Sequence, residues 1–437
     1  MAHGWEGVLA AIIGLGIMIL VHEWGHFVVA RLCGVRVEVF SIGFGNRLFG
    51  WKRGGTDYRI AVFPFGGYVR MAGDNPAEER TGAPDEFLAQ PRRKRLLIIL
   101  AGPFMNFVLA FVVMWGLYMV GVPVPAYTHE PAVIAGVPAD SPIAQAGVRA
   151  GDRIVAIDST RVSSWGDAIA APSLIPGKEI SLQLDRAGKS LLVNLKIPDN
   201  LTDEFNILGF PNERIIVDAV DGKLPAAKAG IKSGDEIISA NGAPLADFAA
   251  LQDLIQDSSG KPVQLLVRRN GTDIPMTLRP VDTDPGDGGG KRWVVGYTHL
   301  TPTIRESYPF LNAGEQSWEK NYNLSKETLW FVGGLFSGRF SLRDAAGPVG
   351  IVKISVQAAK LGMAEFITFM AFLSIQLGIL NLLPIPILDG GHVLMLAIEG
   401  TLRRDLSVAV KERFLTAGLI FLITVIGFVT YFDVLRH

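Results

Sequence analysis

Residues Val8-Leu-Ala-Ala-Ile-Ile-Gly-Leu-Gly-Ile-Met-Ile-Leu-Val-His22-Glu23-Trp24-Gly25-His26-Phe27-Val28-Val29-Ala30 decide how the rest of the chain is read. The stretch is long and apolar enough to cross a bilayer as a helix, for which about 20 residues suffice. It also carries three ionisable side chains near one end. A charge at bilayer depth costs on the order of 3 kcal/mol, so polar groups there point to function. Their spacing is His-Glu-x-x-His. Residues four apart share a helix face, so His22 and His26 can hold one Zn²⁺. Glu23, about 100° round the helix from His22, can reach a water at the metal and act as general base.

Composition describes a membrane protein with a large water-exposed part. Of 437 residues, 49% are hydrophobic, yet 19% are charged, a mixture that suits a few spans plus soluble domains. The net charge of −1 gives no reason to expect nucleic acid. A single cysteine, Cys33, excludes an intrachain disulfide and a cysteine-based zinc site. The first span is too long and too polar at its end for a cleaved signal peptide, so its retention is expected. Three further apolar runs follow: Leu96 to Val122, Phe366 to Leu388, and Phe414 to about Phe432. The connector between the first two runs is rich in arginine, ending in Arg92-Arg93-Lys94-Arg95. The connector between the last two carries Arg403, Arg404, Lys411 and Arg413. The positive-inside rule places both in the cytoplasm and the long central segment outside.

The first connector has β-type composition over Arg36 to Phe49 and Tyr58 to Met71. The segment Tyr58 to Arg70 is expected to form a hairpin beside the inner end of the first span. Its edge can receive an extended peptide by strand addition, or simply pack. The central segment holds an internal repeat. Pro142-Ile-Ala-Gln-Ala-Gly-Val-Arg-Ala-Gly-Asp-Arg-Ile-Val-Ala-Ile-Asp158 aligns without a gap on Pro225-Ala-Ala-Lys-Ala-Gly-Ile-Lys-Ser-Gly-Asp-Glu-Ile-Ile-Ser-Ala-Asn241. Both copies resemble the PDZ domain in their Ala-Gly-(Val/Ile)-x-x-Gly-Asp-x-Ile core. The resemblance implies a groove for extended peptides or chain ends. Asp282 to Lys291 reads as a flexible linker, and Trp318 to Phe336 as an aromatic, partly helical stretch at the outer membrane boundary or on a plain surface.

The third apolar run ends in Asn381-Leu-Leu-Pro384-Ile-Pro386-Ile-Leu-Asp389-Gly-Gly-His392. Two prolines two residues apart break a helix, and such breaks at membrane depth line protein cavities. Spans one and three run in the same direction, which brings Asp389 to the depth of His22 and His26. Asp389 can complete a His₂Asp zinc site, with His392 as its competitor or as a partner behind the ligands. These motifs, together with Gly43-Phe44-Gly45, Pro64-Phe-Gly-Gly-Tyr and Ala101-Gly-Pro-x-x-Asn106-Phe, resemble those of the site-2 protease family of intramembrane zinc metalloproteases. Four spans and two outer PDZ domains are similar to its bacterial regulator-of-sigma-E branch.

The resemblance implies a four-span α-helical metalloprotease core, a cytoplasmic membrane-associated β-hairpin region and two periplasmic α+β PDZ domains. It implies zinc on His22, His26 and Asp389, water activation by Glu23, and substrate contacts from Asn381 and from the hairpin residues Gly66, Gly67 and Tyr68. The expected substrates are single-span membrane proteins, such as anti-sigma factors or remnant signal peptides, already shortened by a first protease. The expected location is the bacterial inner membrane, with the active site near the cytoplasmic side. The expected domains are residues 1–122, with the first two spans and the β region; 123–205 and 206–282, the PDZ pair; 283–365, a periplasmic linker and membrane-proximal helical region; and 366–437, the last two spans. Two other readings compete: a non-enzymatic membrane PDZ scaffold, and a metal transporter or sensor.

Overall fold

The computed structural model describes residues 4–75, 82–137, 141–171, 174, 177–198, 205–211, 214–245, 248–283, 291–341 and 346–435. It divides into one unit built from 1–122 with 306–437 and a second from 123–305. The first unit contains α1 (Gly4–Leu32), β1 (Val37–Arg53), β2 (Thr56–Met71), α2 (Arg92–Val120), α3 (Phe310–Phe336), α4 (Pro348–Leu361), α5 (Met363–Asn381), α6 (Asp389–Leu402) and α7 (Val408–Leu435). Helices α1, α2, α5 and α7 are long and apolar enough to cross a membrane.

Helix α2 is the hub. Its Ala110, Met114 and Leu117 form a core with Ala371, Ile375 and Ile379 of α5 and Leu324 of α3. Ser374 of α5 donates to the Asn106 carbonyl at 2.9 Å, and Ser317 of α3 to the Phe111 carbonyl at 2.8 Å. Against α1 the approach is closer still. A Cβ on Gly25 would lie 2.8 Å from the Ala101 carbonyl carbon and from Met105 Cγ. Absent side chains therefore set this spacing, as small residues do wherever helices meet closely in a membrane.

The expected hairpin within Tyr58 to Arg70 is replaced by a longer one. Its turn is Gly54-Gly55, where both φ angles are positive (59° and 83°), as a two-residue mirror-image turn requires. The segment from Tyr58 to Arg70 instead lies within one bent strand, β2. Bending at Gly43, Gly45 and Gly66 lets β1 and β2 meet twice, so that Phe40 faces both Tyr58 and Val69. Helix α5 stops at Asn381, at the break expected from Pro384 and Pro386, because Pro384 lacks an amide donor and disfavours helical backbone in the residue before it. A further helix, α6, begins at Asp389 where a connector was expected. Two cationic residues of the expected connectors are also buried: Lys411 Nζ lies 2.7 Å from Glu399 of α6, and Arg95 Nη1 lies 3.8 Å from the same carboxylate.

In the second unit each copy of the repeat seeds its own apolar core, one around Ile154, Trp165 and Leu182, the other around Ile237, Leu251 and Leu265. The first sheet runs Thr160–Arg161, Arg153–Ile157, Glu179–Arg186, Lys189–Lys196. The second runs Thr272–Leu278, Val263–Arg269, Glu236–Ala240, Ile215–Val220, Tyr297–Leu300, with Ala243–Pro244 beside Glu236–Ala240. Tyr297–Leu300 thus joins this sheet from within the region expected to be linker. The linker itself falls largely outside the described residues.

The duplication extends to an ion pair. Arg186 grips buried Asp152 at 2.6 and 2.7 Å and donates to the Gly147 carbonyl. Arg269 grips buried Asp235 at 2.7 Å twice and donates to the Gly230 carbonyl. The Arg186 hydrogen bonds hold the Asp152 carboxyl below its ordinary pKa. Burial pushes Asp235 up, but Arg269 and the Lys232 amide outweigh it and carry it below the ordinary value as well.

Candidate active site

The two histidines project from one face of α1, as the four-residue spacing requires. His22 and His26 are both buried, and their Nε2 atoms are 3.2 Å apart. Asp389 reaches them from the first turn of α6, with Oδ2 3.1 Å from His22 Nε2 and Oδ1 3.5 Å from His26 Nε2. A carboxylate is favoured at that position by the helix N-terminus. Its side chain is turned to the histidines, and no side chain caps α6 at Leu388. Donor atoms of these three residues lie within 4.8 Å of one another, and His392 lines the same cavity without joining that cluster.

The geometry suits zinc. Ligand bonds of about 2.0–2.1 Å in a tetrahedron put neighbouring donors roughly 3.3 Å apart; the His22 Nε2–His26 Nε2 separation of 3.2 Å and the His22 Nε2–Asp389 Oδ2 separation of 3.1 Å fall close to that value. Two imidazoles and one carboxylate also make a donor set of catalytic type, with room for a fourth position.

The local fold brings these groups together through glycines. A Cβ on Gly102 of α2 would sit 2.8 Å from His22 Nε2 and closer to His26 Nε2, so α2 covers the histidines only because residue 102 has no side chain. The loop from Leu382 to Leu388 folds over the start of α6. A Cβ on Gly391 would meet the Ile385 carbonyl carbon at 2.9 Å, and Gly390 is similarly enclosed by Leu382 and Leu383. Ile387 in this loop has φ +78°, a strained conformation for a β-branched residue, two positions before Asp389. Such strain costs on the order of 1–3 kcal/mol and clusters at functional sites.

A cavity of about 560 Å³ opens on the cluster, lined among others by Glu23, Tyr68, Asn381 and His392. Tyr68, Val69 and Met71 of β2 form one wall. A Cβ on Gly67 would stand 3.1 Å from Glu23 Cγ, so its lack of a side chain lets the strand lie flush on Glu23. Gly66 has φ +114° and packs under the Phe44 ring, which stacks on Tyr68 with centroids 6.0 Å apart. The structure therefore brings His22, Glu23, His26, Tyr68, Asn381 and Asp389 to one space, with Gly66 and Gly67 shaping its wall. Sequence reasoning missed Gly102 as a structural requirement and Asn106 as a neighbour of His22. Both were visible as an i, i+4 pair of small and polar residues in an apolar helix.

A profile of peptidase family M50 matches residues 10–425. The chain belongs to that family. Relatives match it over nearly their whole length. The regulator of sigma-E protease RseP of Escherichia coli (strain K12) is 33% identical over 463 residues, covering 99% of each chain. Protease RseP of Yersinia pestis is 33% identical over 455 residues, covering 98% of each. The regulator of sigma E protease of Haemophilus influenzae is 32% identical over 452 residues, covering 97% of this chain and 98% of the relative. This M50 member is an intramembrane zinc metalloprotease of the site-2 type, acting in regulated intramembrane proteolysis.

Proposed function

We propose that His22, His26 and Asp389 hold the zinc and that Glu23 takes the proton from the attacking water. The observation that carries this reading is the convergence of three donor atoms within 4.8 Å in a cavity that Glu23 also lines. Zinc bound there supplies a Lewis acid for the water and for the scissile carbonyl. The chain's own residues do the rest. Glu23 holds the abstracted proton and can return it to the leaving amine. The free edge of β2 between Gly66 and Tyr68 pairs with an unwound substrate backbone, which has lost its helical hydrogen bonds in lipid. Asn381, at the end of α5, offers an amide donor and acceptor to the same backbone.

The substrates are single-span membrane proteins of the anti-sigma-factor type and remnant signal peptides, cut after an earlier cleavage. The relatives named as regulators of sigma-E support that assignment. The protein resides in the bacterial inner membrane. The basic connectors support a cytoplasmic-side active site and a periplasmic PDZ pair, which filters substrates by outer-domain size or binds a new chain end. The domain order read from the sequence is proposed with this topology, with Tyr297–Leu300 assigned to the second PDZ unit whose sheet it completes. The scaffold and transporter readings give Glu23 no task.

The test is cleavage of a single-span reporter by purified protein. Glu23→Gln should hold zinc and lose at least 10²-fold in rate, and a zinc chelator should abolish wild-type cleavage. Full cleavage by Glu23→Gln would refute the assignment.

A further inference from the structure

Asn106 lies on α2, wholly buried, with its amide Nδ2 3.2 Å from His22 Nδ1. Its other end, Oδ1, is buried and has no hydrogen-bond partner among the described residues. An amide that served only helix packing would be expected to satisfy both ends, since a buried unpaired polar group costs about 1–3 kcal/mol. Here one end meets a histidine of the catalytic cluster and the other meets nothing.

His26 shows what that end is for. Its Nδ1 lies 2.8 Å from the Ile98 carbonyl, which can only accept, so Nδ1 carries the proton and the Nε2 lone pair faces the site. His22 must likewise carry its proton on Nδ1 if its Nε2 is to ligate, and Asn106 is the polar group at that nitrogen. The two ends of an amide exchange by a half-turn, and only the oxygen end accepts. Resting on the zinc site argued above, we infer that Asn106 is a positioning residue: its Oδ1 accepts the His22 Nδ1–H, fixing the tautomer and the ring plane that point Nε2 at the metal. Ser374, donating to the Asn106 carbonyl at 2.9 Å, helps hold the backbone that carries the amide. Partners of this kind behind a metal ligand typically change metal affinity by about 10–100-fold when removed.

The test measures zinc binding to purified protein by chelator competition, with thermal melts and the absorption spectrum of the cobalt-loaded form on the same samples. Asn106→Leu should bind zinc about 10–100-fold more weakly. Asn106→Asp, which keeps an acceptor, should bind at least as tightly as wild type and keep the wild-type cobalt spectrum. In zinc-loaded wild type with ¹⁵N-labelled histidine, His22 should carry its proton on Nδ1 and ligate through Nε2. A folded Asn106→Leu with wild-type affinity overturns the inference, as does a folded Asn106→Asp that loses zinc. If both variants fail to fold, an Nε2–H tautomer at His22 overturns it. Wild-type protein that holds no zinc would instead overturn the metal site itself.

Discussion

Replacing Gly102 by alanine adds one methyl group where the structure has no room for it. The new Cβ would lie 2.8 Å from His22 Nε2 and nearer still to His26 Nε2 and Cε1, whereas ordinary contact begins at 3.4 Å. The His22 ring, or the helix that carries the methyl, must therefore move by roughly 0.6 Å, at the edge of what a functional constellation tolerates (about 0.5 Å). The His26 ring must move further. Both rings are held from behind, at Ile98 and Asn106, so the displacement falls on the nitrogens facing the site. A misplacement of about 1 Å costs on the order of 10²-fold in rate. Gly102→Ala should thus hold substoichiometric zinc and cleave a single-span reporter about 10²-fold more slowly. Gly116→Ala is the matched control. It lies on the same helix with nothing within 4 Å of its added Cβ, and should keep zinc and activity. Zinc content and cleavage are read on the same preparations. A Gly102→Ala protein with one zinc and wild-type rate would refute the argument that the missing side chain sets the α1–α2 spacing at the site.

Asn381→Leu should keep its zinc and melting temperature but cleave about five- to hundredfold more slowly, the equivalent of one substrate hydrogen bond of about 1–3 kcal/mol; loss of zinc would remove Asn381 from substrate handling. Glu399→Gln leaves buried Lys411 without its counter-charge and Arg95 with only the exposed Asp405 at 3.9 Å, and should destabilise the membrane unit by about 3–5 kcal/mol, seen as a lowered melting temperature; an unchanged melt would mean the three charges do not tie α2, α6 and α7 together. The Asp235 carboxyl, held below its ordinary pKa, contributes stability that is complete above about pH 3.9, the unfolded value, and is lost as pH falls through the lower folded pKa. In Arg269→Met the carboxyl loses its guanidinium partner and only Lys232 opposes burial, so that pKa rises relative to wild type; the variant should be less stable than wild type at pH 7 but lose less stability between pH 5 and pH 3. Parallel acid limbs in thermal melts would contradict this.

Much of the site was legible because its signals are local. His22 and His26 share a face by helical period alone, and hydropathy places that face in a span. Direction of traverse then brings Asp389 to the same depth, and the aligned repeat marks two cores of one kind. The cavity wall was legible only in part: Tyr68 lines the cavity and Gly66 and Gly67 pack beside it, but the hairpin that carries them turns at Gly54-Gly55. Its two meetings with Phe40 depend on where the chain bends, and β propensity does not record that.

What only the tertiary structure decided is spacing and partnership between elements. Gly102 matters because His22 and His26 stand opposite it; its own helix shows a small residue one turn before a polar one, but not what they face. Arg95 and Lys411 read as exposed, topology-setting charges until α6 brings Glu399 between them. Asn106 is one polar residue in an apolar helix until His22 Nδ1 is found 3.2 Å from it. A sequence determines the pattern each element presents, since that pattern repeats with the backbone's own period. Which pattern meets which depends on close packing across elements far apart in the chain, where a missing methyl or a single buried carboxylate sets the distance.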